Sequence, residues 1–379
     1  MFGGFKKSKT NSNFNLLISL RGQIVSLALI ENSDKKNKIN FLIKETILKD
    51  DYLLAIENGV KKIISEGLVI LSQGLKSAKI KDVEVVLSAP FYDVYIKDLL
   101  IEKESSFILT KDQFNKAIQK HSEIINAEKA NKIILEKDVT NVMINGYSLQ
   151  NPFNKEVKKL DVSFYASFIE KKIVDDIEKS IKKSLNISDV KFKTYTLNKF
   201  NAIRNTFLNV ANYISIDVGE KYTDVFVVEN NALKYRKFFE IGSQQFISDI
   251  ADKCSVNPQI VASEISMMML GELTQKCNPE IEKSLSEEKK KWVSNLISEM
   301  IDKENIIVPP KVFLSADKKI SNIFVHILSD PDFKKDIFGD EKNVMILNCD
   351  NKHFTKDVVY KDGLESDIFI TINSINLNH

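Results

Sequence analysis

SIDVGEKYTDVFVV, residues 215–228, carries an apolar run that closes on Asp217, a glycine at Gly219, and a second apolar run opened by Thr223 and Asp224. Two short runs of β-branched and aromatic residues around a polar turn predict a β-hairpin. An acid and a glycine at such a turn are also what a grip on phosphate and magnesium requires. Glycine lets backbone N–H groups approach phosphate oxygens, and the carboxylate faces the metal, usually through water. Asp and Gly are common hairpin residues as well, so Asp217 and Asp224 read equally as ordinary turn acids.

Outward from this stretch the pattern repeats. ALKYRKFFEIG follows across an Asn230–Asn231 turn and completes a three-stranded meander. The same order stands near the start: LLISL, then QIVSLALIE across Arg21–Gly22, then INFLIKETI across SDKKNK. Each meander leads into helices. Apolar residues at helical spacing from Leu53 to Leu71 predict a long amphipathic helix over 51–78, before the buried strand VEVVLSAP. In the second half helices are expected at 243–253, 257–270 and 286–304, then the strand KVFLSAD and a helix near 319–328. NVMILN, DVVY and an apolar segment around 364–376 close the chain.

Residues 92–169 interrupt the first half. VYIKDLLIE reads as a strand, Thr110 and Gln113 form a capping box for a helix, and KIILEKDVTNVMING and KKLDVSFYASF read as two further strands. This predicts a small inserted α+β unit. A helix at 170–185 and the strand VKFKTYTL then return to the first core. Two meander-then-helix halves imply a duplicated α/β fold with a cleft between them.

The 379 residues are 43% hydrophobic and 28% charged, the balance of a folded globular chain with room for more than one core. A formal charge of +2 gives no drive toward nucleic acid, and Arg21, Arg204 and Arg236 are the only guanidinium forks available for reading bases. Cys254, Cys277 and Cys349 are widely spaced, which excludes a CxxC zinc site and fits a reducing cytoplasm. His121, His326, His353 and His379 show no metal-ligand spacing, and no Ser-His-Asp order stands out. No apolar run reaches the roughly 18–20 residues of a transmembrane segment. Phe2, Phe5, Lys6, Lys7 and Lys9 read as a polar leader rather than a membrane anchor. The lysine clusters at 171–183 and 287–291 are interleaved with acids as on solvated helix faces, and the MMML run at 267–270 reads as core filler.

The segment from Ser215 to Ala251, together with the insertion NGYSLQNPFNKEVKKLDVSFYASFIEKKIVDDIEKSI ahead of it, resembles the FtsA and PilM branch of the actin-like ATPases. The resemblance covers roughly 14–330. It implies an actin-like, ribonuclease H-like duplicated two-lobe α/β fold with an inserted strand–helix–strand–strand subdomain. The implied division is a first lobe at 14–91 and 170–204, the insertion at 92–169, a second lobe at 205–340 and a return segment at 341–379. In that family two hairpin loops face each other and hold the phosphates of ATP with Mg2+. The implied site is Asp217 at the metal, with Gly219, Thr223, Asp224, Gly22, Gly242 and Ser315 around the nucleotide. Gly242 and Ser243 also read as a plain helix start.

The chain departs from the family pattern at three places. Leu20 stands at the acid position of the first hairpin, Glu220, Lys221 and Tyr222 replace small residues in the second, and Ser315-Ala316-Asp317 replaces a glycine pair. Losing three contacts at roughly 1–1.5 kcal/mol each would weaken a micromolar site by two to three decades. The expectation is therefore weakened or lost nucleotide binding and little or no ATPase activity. The resemblance implies an FtsA-like cytoplasmic scaffold in cell division, polymerising through its insertion and binding FtsZ at the inner face of the membrane. Its alternative is a PilM-like adaptor that holds the cytoplasmic tail of a membrane protein in a type IV pilus or secretion platform. DIFITINSINLNH does not read as the amphipathic membrane helix of FtsA, which fits the alternative. A chaperone-type or sugar-kinase-type ATPase on the same fold lacks, respectively, a peptide-binding domain and a sugar-site base.

Overall fold

A computed structural model describes residues 13–32, 36–46, 58–67, 69, 79–128, 132–149, 151–271, 278–302, 306–339 and 343–378. The first meander is β1 (Asn13–Arg21), β2 (Ile24–Asn32) and β3 (Asn37–Thr46). A helix α1 (residues 58–67) follows; the rest of the helix expected over 51–78 lies outside the described residues, Val69 apart. β4 (Lys79–Leu87) runs parallel to β1.

The insertion is β5 (Asp93–Ile108), α2 (Lys111–Glu128), β6 (Lys132–Ile144), β7 (Tyr147–Ser148) and β8 (Glu156–Glu170), with its own sheet ordered β5-β8-β6-β7. The capping box forms as the spacing requires: Gln113 N–H donates to Thr110 Oγ1 and Thr110 N–H to Gln113 Oε1, both at 3.2 Å. α3 (Lys171–Leu185) and β9 (Lys191–Thr194) bring the chain back to the first sheet. The strand expected to run through VKFKTYTL stops at Thr194, and Tyr195 opens α4 (Tyr195–Thr206). Alternation of polar and apolar residues there looks the same in a strand as in a helix whose first two turns are buried all round, and this helix is buried from Tyr195 to Phe200.

The second meander is β10 (Tyr213–Val218), β11 (Thr223–Glu229) and β12 (Ala232–Phe239). Asn230 and Asn231 both take positive φ, 51° and 64°, the left-handed pair that a two-residue hairpin turn needs. α5 (Ser243–Cys254), α6 (Pro258–Leu270) and α7 (Pro279–Ile297) pack on this sheet. α7 starts seven residues before the expected 286, because Asn278 caps it and Pro279 occupies its first position. One π-turn (Ser298–Asp302) prolongs it. β13 (Lys311–Ala316) runs parallel to β10, and after α8 (Ser321–Ser329) and α9 (Pro331–Phe338), β14 (Met345–Asn348) pairs with β13.

With a last short strand, β15 (Val358–Tyr360), the sheets are ordered β15-β3-β2-β1-β4-β9 and β12-β11-β10-β13-β14, so each half is three antiparallel strands followed by parallel ones. This is the actin-like, ribonuclease H-like duplicated α/β fold. The chain then returns to the first lobe. β15 pairs with β3, and α10 (Ile368–Ile375) is buried along its whole length. Each lobe has its own apolar core. A third core, drawn from Leu17, Tyr195, Phe200, Tyr213, Phe226, Phe313 and Phe369 among others, lies between them.

Candidate functional site

The two hairpin turns meet. Gly22 turns the first hairpin at φ 54°, and a Cβ placed there would stand 3.5 Å from the Tyr222 ring of the second. Between the hairpins the cavity measures about 20 Å³, lined by Arg21, Gly22, Ser88, Ala89, Tyr195, Asp217, Gly219, Glu220, Tyr222, Asp224 and Phe369. That volume suits about one water molecule.

Charged side chains fill the rest. Asp217 ends β10 and is buried, and the Lys199 ammonium, 0% exposed on α4, is ion-paired with its Oδ1. Lys199 Nζ also lies 3.5 Å from the Phe313 carbonyl. Tyr195 O–H donates to Asp217 Oδ1 at 3.2 Å, and Ser215 O–H to Oδ2 at 3.3 Å. Burial draws the Asp217 carboxyl up from its ordinary pKa, against the pull of Lys199. Directly across the ladder stands Asp224, also raised by burial, and two facing carboxylates repel unless each has a cation. Arg236 supplies the second cation as a fork, Nε to Oδ1 and Nη2 to Oδ2, both at 2.7 Å. Its Nη1 reaches the Tyr92 carbonyl at 3.2 Å, and its guanidinium lies over the Tyr92 ring at 4.6 Å. Arg21, beside Gly22, places Nη2 2.6 Å from Glu220 Oε1 and rests on the Phe369 ring at 3.6 Å.

Of the positions marked in the sequence, Gly22, Asp217, Gly219 and Asp224 come together around this small cavity. The other three stand back from it. Thr223 donates its hydroxyl to the Ile241 carbonyl at 2.6 Å and accepts from the Trp292 indole at 3.1 Å. Gly242 lies under the second hairpin, where a Cβ would come within 2.5 Å of the Gly219 and Glu220 carbonyl oxygens. Those carbonyls take the free N–H groups of α5: Ser243 N–H donates to Gly219 O at 2.7 Å and Gln244 N–H to Glu220 O at 2.9 Å. The helix end that could hold a phosphate is thereby capped by the chain itself. Ser315 is fully buried, paired across the parallel ladder with Asp217.

The sequence reading passed over Lys199, Tyr195, Arg21 and Arg236. A signal for Lys199 was available: it is the lone charge in TYTLNKFNAI, residues 194–203. For Arg21 and Arg236 the signal was their rarity among so many lysines.

A larger crevice of about 410 Å³ opens outside the hairpins. Asp317, Lys318, Lys319, Lys44, Asp350, Glu365 and Asp367 are among its lining residues, with acids and bases balanced. Lys44 and Asp367 pair across it at 2.5 Å. Among the described residues no three His, Cys, Asp or Glu side chains gather as a metal-ligand group, and no helix is long and apolar enough to cross a membrane.

Magnesium with a nucleotide triphosphate does not fit the inner cleft as it stands. A lysine holds the carboxylate that the resemblance places at the metal, an ion pair links the two hairpin turns, and the remaining volume is about that of one water.

No family model matches the chain, and no curated protein matches it in sequence. Solved structures do. A structure described as the PilM-PilN type IV pilus biogenesis complex matches with a TM-score of 0.61 at 9% identity, over 95% of each chain. A Bacteroides thetaiotaomicron protein with an actin-like ATPase fold and unknown function matches at 0.42 and 10% identity, over 93% of this chain and 98% of that one. The ethanolamine utilization protein EutJ from Carboxydothermus hydrogenoformans matches at 0.42 and 9%, over 96% and 88%.

Proposed function

We propose that this actin-like chain, with the space between its two hairpins filled by its own side chains, is a PilM-like adaptor: a scaffold that holds the cytoplasmic segment of a membrane protein in a pilus or secretion platform and turns over no nucleotide. The observation that carries the second half is the Lys199–Asp217 pair at the metal position, beside a cavity of about 20 Å³. Support for the first half is the likeness in fold to the PilM-PilN complex structure over 95% of the chain. The sequence-drawn units, 14–91 with 170–204, 92–169, 205–340 and 341–379, remain our division of the chain. An adaptor of this kind works in the cytoplasm, reaching the inner face of the membrane through its partner.

No structural observation favours the FtsA-like division reading over the pilus reading, and the likeness in fold to the PilM-PilN complex supports the latter. Binding of peptides separates the two. The chain is titrated, by fluorescence anisotropy, with cytoplasmic segments of pilus-platform membrane proteins and with the C-terminal tail of FtsZ. Micromolar binding of the former and none of the latter is expected, and the reverse result would return the chain to cell division. Calorimetry with ATP or ADP and magnesium tests the other half: binding tighter than about 100 μM would contradict the filled cleft.

A further inference from the structure

The ties at the cleft join the lobes to each other. Lys199 and Tyr195 lie on α4, which leaves the first sheet, and both hold Asp217 on the central strand pair of the second. Arg21, at the turn of the first hairpin, holds Glu220 at the turn of the other. Arg236 on β12 holds Asp224 and reaches back to the Tyr92 carbonyl at the entry to the insertion. Phe369 of α10 closes the floor, stacked under Arg21 and 5.4 Å from the Tyr195 ring. These contacts fill the space between the two hairpins.

We propose that Lys199 is a built-in counter-cation that, with the Arg21–Glu220 pair, holds the two lobes closed in place of a bound magnesium nucleotide. The lobes are then shut permanently rather than by a ligand. The physical case is one of tethering and burial. An ammonium anchored on α4 forfeits no translational freedom on reaching Asp217, whereas a free cation must. Both partners lie away from water, where their attraction is little screened, and removing one partner of a buried pair is strongly unfavourable. The ties come from separate elements, Lys199 and Tyr195 from α4, Arg21 from the first hairpin and Arg236 from β12, so releasing one alone does not free the lobes. The inference rests on the filled cleft that the proposed function also uses, but it concerns what holds the lobes and not what the chain carries.

Hydrogen exchange on the full chain tests it. In the wild type, the amides of Gly219, Ser243 and Gln244, all hydrogen-bonded at the second hairpin, are expected to exchange slowly and equally with or without millimolar magnesium-ATP. Glu220→Gln keeps the shape and removes the charge; exchange at those amides should rise about ten-fold, while the interior strand β13 stays protected. The reciprocal exchange Arg21→Glu with Glu220→Arg should return most of that protection. Three results would overturn the proposal: slowing by magnesium-ATP in the wild type, unchanged exchange in Glu220→Gln, or a double variant no better protected than Glu220→Gln. The failure of a peptide to bind would leave all three measurements intact, so the two readings fail separately.

Discussion

Trp292, the chain's single tryptophan and 0% exposed, donates its indole N–H to the Thr223 hydroxyl, which in turn donates to the Ile241 carbonyl. Thr223, which the resemblance sets beside the nucleotide, is thus a relay between α7 and the end of the second meander. Thr223→Val removes the relay and leaves a buried indole N–H unpaired, at a cost of roughly 1–3 kcal/mol. Thr223→Ser should recover most of it. Urea denaturation followed by Trp292 emission measures both; equal stability of Val and wild type would dismiss the relay.

Arg236 forks Asp224 with two bonds of 2.7 Å and spends its third donor on the Tyr92 carbonyl. Asp224 holds the guanidinium above its ordinary pKa despite the opposing effect of burial. Lysine keeps the charge but not the fork, so Arg236→Lys should cost roughly 1–3 kcal/mol, and Arg236→Met, which strands the carboxylate, roughly 3–5 kcal/mol. If Lys proves as good as Arg in denaturant melts, the planar geometry is not what matters.

Gly242 has no room for a methyl group. A Cβ would stand 2.4 Å from the Glu220 carbonyl carbon and 2.5 Å from two carbonyl oxygens. Gly242→Ala must push α5 off the second hairpin, costing roughly 1–3 kcal/mol and loosening the Ser243 and Gln244 amides. Thermal melting and exchange at those amides are the readouts, and unchanged values for both would refute the contact.

Glu136 on β6 accepts from Thr194 N–H at 2.5 Å and Thr194 O–H at 2.6 Å, tying the insertion to the end of β9. Burial pushes its pKa up to about 7, although those bonds and Lys193 oppose it. The folded chain therefore keeps a proton that the unfolded chain releases above its ordinary value of 4.5. This group's contribution is greatest below that value, falls as pH rises toward about 7, and then levels off. The total is at most roughly 3 kcal/mol, less for the solvent the side chain still meets. Glu136→Gln should remove the slope, seen as a variant that gains on the wild type between acidic and mildly alkaline denaturation curves. Parallel curves would exclude the shift.

Much of the architecture is legible in the sequence because repetition is visible in letters: two apolar meanders, a glycine at each first turn, and a capped helix at Thr110 inside the insertion. Boundaries slipped where one local cue outweighed periodicity. Asn278–Pro279 moved a helix start, and an all-buried helix at Tyr195 looked like a strand. The site was half legible. Positions such as Asp217 and Gly219 announce themselves by type and spacing within a few residues. Their partners do not: Arg21 meets Glu220, and Arg236 meets the Tyr92 carbonyl, across distances in sequence that only the folded topology closes. The substitutions at Leu20 and at Ser315-Ala316-Asp317 suggest a weakened grip, but nothing in their spacing discloses that a lysine from α4 pairs with Asp217.

The deep seating of Lys199 against Asp217 has a hereditary side. A lineage that lost the lysine alone would keep an uncompensated buried acid, and one that lost the aspartate alone would keep an uncompensated buried base. Descent through either intermediate is a narrow path, so positions 199 and 217 should change together in kindred chains: both charged, both neutral, or an acid with no lysine opposite where a metal does the work. Chains sorted by that pair would fall into ligand-held and self-held forms of one architecture, a division that overall resemblance would miss.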